Sequence, residues 1–215
     1  MVKLEYDNCT LEYIIGDAVE LMKDIPDKSI DMIVTDPPYP KEFHHLYGEL
    51  AREAKRIVKD GGYVFVYCGG NELDKLMAML SEHLDYFWLF GLKHNGGHPR
   101  FWAKKLMVGM KPILVYTNGK PKRIEWMDNL IDYENQSKEY HSWGQSPEFA
   151  IKVIEQLTEP GEIILDPFLG GGTTLWACRK TGRNGIGFEI EPGLEDRIRD
   201  RIRADTKTIF QFGCD

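Results

Sequence analysis

Short apolar runs alternate along the chain with stretches whose apolar residues fall at helical spacing. Residues 11–15 (LEYII) read as a strand ending at Gly16-Asp17, where Asp17 can cap a helix over Ala18–Lys23. Residues 30–34 (IDMIV) form the next strand, too apolar for an exposed edge, so both faces are predicted to be covered. Strand, helix and strand in so short a span make a βαβ crossover and hence a parallel pair. A helix is expected over residues 43–58, with Leu46, Leu50, Ala54, Ile57 and Val58 at helical spacing and Asp60-Gly61-Gly62 as its stop. Residues 63–67 read as a strand, 72–84 as a helix and 86–92 as another strand. This alternation predicts an α/β fold on a doubly wound, mostly parallel sheet.

The pattern lapses in the middle. Residues 94–99 read as loop, and 100–110 mix basic and aromatic residues without a clear period. Residues 112–117 are a strand turned by Asn118-Gly119, and 120–141 are polar and irregular. Regular structure returns with a helix from Ser146-Pro147 to Leu157, with Ser as cap and Pro in the first turn. A strand (162–165), a Gly-rich turn, a helix (Thr173–Thr181), a strand (185–188) and a tail helix (194–205) complete the chain. The expectation is one domain over residues 1–215, with 94–141 as a short insert.

Two strand tips carry chemistry. The first strand to be capped abruptly is 30–34, which runs into Thr35-Asp36-Pro37-Pro38-Tyr39-Pro40. Consecutive prolines cannot donate to a sheet ladder, and their fixed φ forces an extended exit. Asp36 and Tyr39 are thereby left at the carboxyl end of a strand, where open α/β sheets bind ligands. A carboxylate, prolyl carbonyls that only accept, and an aromatic ring suit holding an amino group and stacking a planar base. The plainer alternative is a rigid turn with Tyr39 packed and Asp36 as a cap.

The second tip is Asp166-Pro167-Phe168-Leu169-Gly170-Gly171-Gly172-Thr173-Thr174, which follows a strand and opens a helix. Its glycines let backbone approach a ligand closely. The next strand ends at Glu189, at the distance where an acid accepts hydrogen bonds from a ribose diol. No Gly-Lys-Ser/Thr is present, which argues against a triphosphate loop.

Composition changes this picture in three respects. The net charge of −7 argues against a polyanion partner, yet residues 93–123 hold eight Lys or Arg and no Asp or Glu. Lys93, Arg100, Lys104, Lys105, Lys111, Lys120, Lys122 and Arg123 make this a candidate nucleic-acid footprint, with a solvated basic face as the alternative. Cys9, Cys68, Cys178 and Cys214 are scattered, which argues against a zinc site or disulfide framework and for a reducing cytoplasm. No apolar run is long enough to span a membrane, and the first residues do not open a signal peptide.

TDPPY (35–39), DPFLGGGTT (166–174) and GFEIE (187–191), with the stretches leading into them, resemble the S-adenosylmethionine-dependent DNA amino-methyltransferases. The catalytic loop precedes the cofactor loop, which resembles the circularly permuted β class and implies a Rossmann-like, seven-stranded sheet. The resemblance covers roughly the first 90 residues and the last 75. It implies methyl transfer to an exocyclic amine of a flipped base, adenine N6 before cytosine N4, in a restriction–modification setting. Asp36 and the Pro37 carbonyl would accept from the amine, Pro38 would stiffen the loop, and Tyr39 would stack on the base. Asp36 would also border the methyl donor; Phe168, Gly170, Gly172 and Thr173 would line its methionine part. Glu189 would hold the ribose and Asp17 would meet the adenine amino group, with Asp166 and Ser146 as further cofactor candidates. Ser146-Pro147 departs from the pair that the family often has there. The insert falls where the family places target recognition, so Lys93, Arg100, Lys104, Lys105, Lys122 and Arg123 are the DNA-contact candidates. The insert is short, so a homodimer or a partner subunit is expected to help. A catalytically silent nucleic-acid-binding subunit and an RNA methyltransferase are the rival expectations.

Overall fold

The computed structural model describes residues 1–94, 100–133 and 147–204, with backbone alone at His94, Asp132 and Tyr133. Ser146 and the end of the expected tail helix, from residue 205 onward, lie outside the described residues. The chain opens with β1 (Val2–Tyr6), β2 (Cys9–Ile15), α1 (Ala18–Lys23) and β3 (Ile30–Thr35). One 3-10 turn leads to α2 (His45–Ile57), β4 (Val58–Tyr67), α3 (Leu73–Ser81) and β5 (Asp85–His94). A small hairpin, β6 (Arg100–Phe101) and β7 (Leu106–Met107), precedes β8 (Met110–Thr117) and β9 (Leu130–Tyr133). The last part is α4 (Pro147–Leu157), β10 (Ile163–Asp166), α5 (Thr173–Thr181), β11 (Asn184–Glu189) and α6 (Glu195–Arg203).

The main sheet runs β1-β2-β11-β10-β3-β4-β8-β5-β9, parallel from β2 to β4 and between β5 and β9, antiparallel elsewhere. Its two faces are covered by different helices. Met32, Val34, Phe65, Tyr67, Ile113 and Val115 point to the side of α4, α5 and α6, where Phe149, Val153, Leu175 and Ile198 pack. The alternate residues Ile33, Val64, Val66, Leu114 and Tyr116 meet α1, α2 and α3 through Met22, Leu50, Ala54, Leu76 and Leu80. Period-two alternation on both sides of β3 and β4 is why these strands read as continuous apolar runs. The doubly wound architecture expected from the sequence is therefore present.

The strand count is corrected from seven to nine among the described residues. The additions are edge strands. β1 (VKLEY) alternates half-buried apolar residues with exposed charged ones, and it pairs antiparallel with β2 as an edge strand with one face on the core. β9, inside the stretch expected to be irregular, adds in parallel beside β5. A second correction concerns Asp60-Gly61-Gly62, expected to stop a helix: these residues lie inside β4. Gly61 has φ +79°, and a Cβ there would come within 2.7 Å of the Lys120 carbonyl. A Cβ on Gly62 would come within 2.6 Å of the Asp31 carbonyl, so the glycines serve a strand irregularity under close backbone contact.

The feature that positions the site is the adjacency of β3 and β10, which pair in parallel through Ile164↔Met32 and Leu165↔Ile33. From β3 the chain moves to β4 on one side; from β10 it moves to β11 on the other. The crossovers part there and open a crevice at the carboxyl ends of both strands. No helix among the described residues is long and apolar enough to cross a membrane.

Candidate active site

Two loops meet over that crevice, and one buried carboxyl joins them. Asp166, the last residue of β10, is buried; its Oδ1 accepts from the Thr35 hydroxyl at 2.7 Å and from the Phe168 N–H at 3.2 Å. The Phe168 N–H also reaches the Thr35 hydroxyl oxygen, 3.3 Å away. Desolvation pushes the Asp166 carboxyl up to about 7, against the pull of hydrogen bonds from Thr174, Thr35 and the Phe168 amide. Asp166 thus ties the residue before Asp36 to the start of the glycine-rich loop. Expected as a cofactor contact, Asp166 instead engages Thr35 and Phe168 of the protein itself through its Oδ1.

Asp36 projects from the tip of β3 two residues beyond inward-facing Val34. Its Oδ1 accepts from the Tyr39 hydroxyl and its Oδ2 from Lys111 Nζ at 3.0 Å. Pro37 is buried, while Pro38 and Tyr39 are exposed. Tyr39 leaves 40% of its surface exposed, but its hydroxyl turns inward to Asp36; desolvation at that end and the Asp36 charge raise the phenol well above its ordinary value, so it stays a donor. Behind the loop, His44 Nε2 lies 3.2 Å from the Tyr39 carbonyl, and the buried Tyr47 hydroxyl donates to the Tyr67 carbonyl at 3.3 Å. His44 therefore braces the loop from the protein side.

The glycine-rich loop has a cradle form. Gly170 (φ +53°) and Gly172 (φ +83°) adopt the left-handed region, which other residues enter at a cost. A Cβ on Gly170 would meet nothing within 4 Å, so its surface is open to a ligand. Glu189, buried at the end of β11, accepts from the Gly170 N–H at 2.7 Å and the Glu191 N–H at 2.8 Å. Its carboxylate is held at the loop's edge by backbone donors. The Gly16 N–H donates to the Glu189 carbonyl at 2.8 Å, which brings Asp17 beside the same tip. Asp17 Oδ1 caps α1 through the Val19 N–H at 2.8 Å and the side chain remains exposed. Phe168 and Thr173 are half-buried in the loop and at the start of α5. Ile190, exposed next to Glu189, adds an apolar surface that sequence patterning did not single out.

The basic segment divides. β5 and β8 run antiparallel, and the connection between them leaves the same sheet edge as Asp36, since Tyr67 at the carboxyl end of β4 pairs with Ile113. Lys93 lies at the carboxyl end of β5, paired with Met110, and the β6–β7 hairpin with Arg100, Lys104 and Lys105 is on that connection. Arg100 lies over the Trp102 ring at 5.6 Å and Lys104 over Phe101 at 5.8 Å; Trp102 is 75% exposed. Lys122 and Arg123 are at the other end of β8, where the Lys122 N–H donates to the Gly61 carbonyl. Arg123 pairs with Glu159 and donates to the Thr158 carbonyl at 3.2 Å. The fold therefore carries these two to the edge opposite Asp36 and does not bring them to the site. Besides Ile190, sequence reasoning missed Lys111 at the site, counting it only as one of the basic set.

Among the described residues no cluster of His, Cys, Asp and Glu could hold a metal ion. The model of one protein family, described as DNA methylase, matches residues 30–200. Type II methyltransferase M.HpaI of Haemophilus parainfluenzae is 24% identical over 236 aligned residues, covering 89% of this chain and 74% of that protein. The crystal structure of M1.HpyAVI in complex with SAM superposes with a TM-score of 0.73 at 24% identity, covering 90% of this chain and 100% of that one. The cytosine-N4-specific PvuII DNA methyltransferase superposes with a TM-score of 0.76 at 18% identity, covering 94% and 90%. With the family model spanning both loop motifs and the sheet between them, this chain belongs to the DNA methylase family.

Proposed function

We propose that the chain transfers a methyl group from S-adenosylmethionine to an exocyclic amine of a base flipped out of DNA, adenine N6 as first target and cytosine N4 as second. The observation that carries this is the Thr35–Asp166 hydrogen bond, which sets the Asp36 loop directly against the glycine-rich loop at the crevice. The methyl donor fits the second loop: open space over Gly170, a backbone-held acid at Glu189 and an apolar surface at Ile190 suit a nucleoside with a flexible charged tail. Phe168, Gly170, Gly172 and Thr173 would border the tail, Glu189 would accept from the ribose, and Asp17 would receive the adenine amino group. Asp166 would act one step back, by holding the two loops in register. Bound S-adenosylmethionine supplies an electrophilic methyl on a sulfonium centre with a good leaving group.

The protein's part is alignment. An exocyclic amine is a weak nucleophile because its lone pair is delocalised into the ring. Asp36 and the Pro37 carbonyl would accept its two hydrogens and turn the lone pair toward the methyl carbon. As the nitrogen takes the methyl, the sulfonium would leave as a neutral thioether, and the amine's surplus proton would pass along its hydrogen bond to the Asp36 carboxylate and from there to solvent. Orientation of this kind contributes up to roughly 7–11 kcal/mol. Tyr39 would replace the stacking that the base loses on leaving the duplex, about 1–3 kcal/mol. The test is incubation with DNA and methyl-labelled S-adenosylmethionine, followed by nucleoside analysis. Labelled N6-methyladenosine or N4-methylcytidine deoxynucleoside is expected, and an unlabelled digest would refute the proposal.

Lys93, Arg100, Lys104 and Lys105 would meet phosphates at the site's own edge. Changing Lys104 and Lys105 to Ala is expected to flatten the plot of log affinity against log salt by about 0.9 per lost contact. The same changes at Lys122 and Arg123 are expected to leave that slope unaltered, as read by fluorescence anisotropy at several salt concentrations. The order of the loops along the chain fits the permuted β class, and the shortness of the insert fits help from a second copy or another subunit. A reaction on DNA and buried, unpaired Cys9, Cys68 and Cys178 fit a reducing cytoplasm.

A further inference from the structure

Lys111 is unlike the other cations of its segment. It sits on β8 two positions before Ile113, the partner of Tyr67, so it shares a sheet face with Tyr67 and meets the end of β3. Its Nζ is 3.0 Å from Asp36 Oδ2, 4.9 Å from the centroid of the Tyr39 ring and 4.7 Å from that of Tyr67. Its side chain is 13% exposed, whereas Lys104 and Lys105 face solvent. Desolvation lowers its pKa while the Asp36 charge opposes the shift. An ammonium that binds phosphate stays hydrated and reaches outward. This one is withdrawn between two aromatic faces and bonded to the carboxylate on which the proposed chemistry depends.

We propose that Lys111 is a positioning residue for Asp36: by holding Oδ2 it fixes the carboxylate so that Oδ1 faces the target amine once the Tyr39 hydroxyl gives way to the base. The inference rests on the methyl-transfer proposal above. Two donors occupy the carboxylate in the structure, the Tyr39 hydroxyl on Oδ1 and Lys111 on Oδ2. Tyr39 is exposed and lies on the loop, so it is the partner that yields; Lys111 is anchored in a strand and stays. In this role the ammonium acts through its bond to Asp36 and needs no contact of its own with the base or the methyl donor.

The test compares Lys111→Ala, Lys111→Met and Lys111→Arg in steady-state methylation of DNA, with cofactor affinity measured by calorimetry. Loss of one charge-assisted hydrogen bond predicts a kcat for Lys111→Ala about 30-fold lower. The KM for DNA and the cofactor affinity are expected to stay within about threefold, since no phosphate contact is lost. Added propylammonium is expected to restore turnover to Lys111→Ala where propanol does not, and Lys111→Arg is expected to retain more activity than Lys111→Met. Lys111→Met keeps the apolar stem and carries the comparison if the alanine variant fails to fold. An unchanged kcat, a raised KM with kcat intact, or equal restoration by propanol would overturn the inference. Wild-type protein that methylates no DNA would instead overturn the methyl-transfer proposal, so the two failures are distinct.

Discussion

Asp36→Ala is expected to lower methyl transfer by about a thousandfold or more while leaving cofactor affinity within a few-fold, since its work is alignment of the amine rather than retention of the methyl donor. Without the carboxylate, only the Pro37 carbonyl remains to accept an amine hydrogen, and the nitrogen lone pair stays delocalised in the π-system of the ring. The cofactor cradle is built mainly from other parts: the Gly170 N–H is bonded to Glu189, the Gly172 N–H to the Leu169 carbonyl, and neither bond involves Asp36, which would only border the methyl donor. The variant also strips Lys111 of its carboxylate, so thermal unfolding must be followed alongside to show that the fold survives. Single-turnover transfer with labelled cofactor gives the rate, and calorimetric titration gives the affinity. A variant that retains a tenth of the wild-type rate would remove Asp36 from the mechanism.

That Asp36 and the glycine-rich loop could be picked out beforehand follows from local chemistry. Pro-Pro after an apolar run and three glycines between a strand and a helix leave the backbone few options, so these loops announce themselves in a short window. Helices α1 and α5 were legible to the residue because their starts are set by a capping Asp17 and by Gly172. What escaped depends on pairing across distance. β1 and β9 are short segments at the two sheet edges, and they are strands because β2 and β5 offer them an edge to pair with.

Lys111 and Lys122 show the same limit from two directions. Along the chain they look like members of one basic run. β8 places an extended strand between them, with Met110 at one end and Thr117 at the other, so one reaches Asp36 and the other the opposite sheet edge. Lys111 comes to Asp36 across 75 residues, through the antiparallel pairing of β8 with β4. No periodicity within residues 93–123 encodes that. Asp166 is a subtler case: its place in the motif suggested a ligand contact, and only the β3–β10 adjacency gives it Thr35 as a partner.

Asp166→Asn is expected to make the protein more stable than wild type at pH 8, by up to about 4 kcal/mol, and much less so at pH 5. Burial pushes this carboxyl up to about 7 from an ordinary 3.8, so the folded chain holds the proton more tightly than the unfolded one. Below the ordinary value both states are neutral and nothing is lost. As pH rises past it the unfolded chain ionises first, and stability falls until the folded carboxyl ionises as well, near 7. Between pH 5 and pH 8 the wild type should therefore lose about 2–3 kcal/mol from this group alone. Asparagine keeps a side-chain oxygen for the Thr35 hydroxyl and the Phe168 N–H, so the loops stay joined while the titration disappears. Urea unfolding midpoints across this range would give the two stability curves. Parallel curves would mean that Asp166 is already ionised in the folded protein, with Thr35, Thr174 and the Phe168 amide sufficient to solvate it. A diverging pair would mean that a neutral hydrogen-bonded carboxyl spaces the two loops near neutral pH, and that the crevice is kept at a cost in stability that rises with pH.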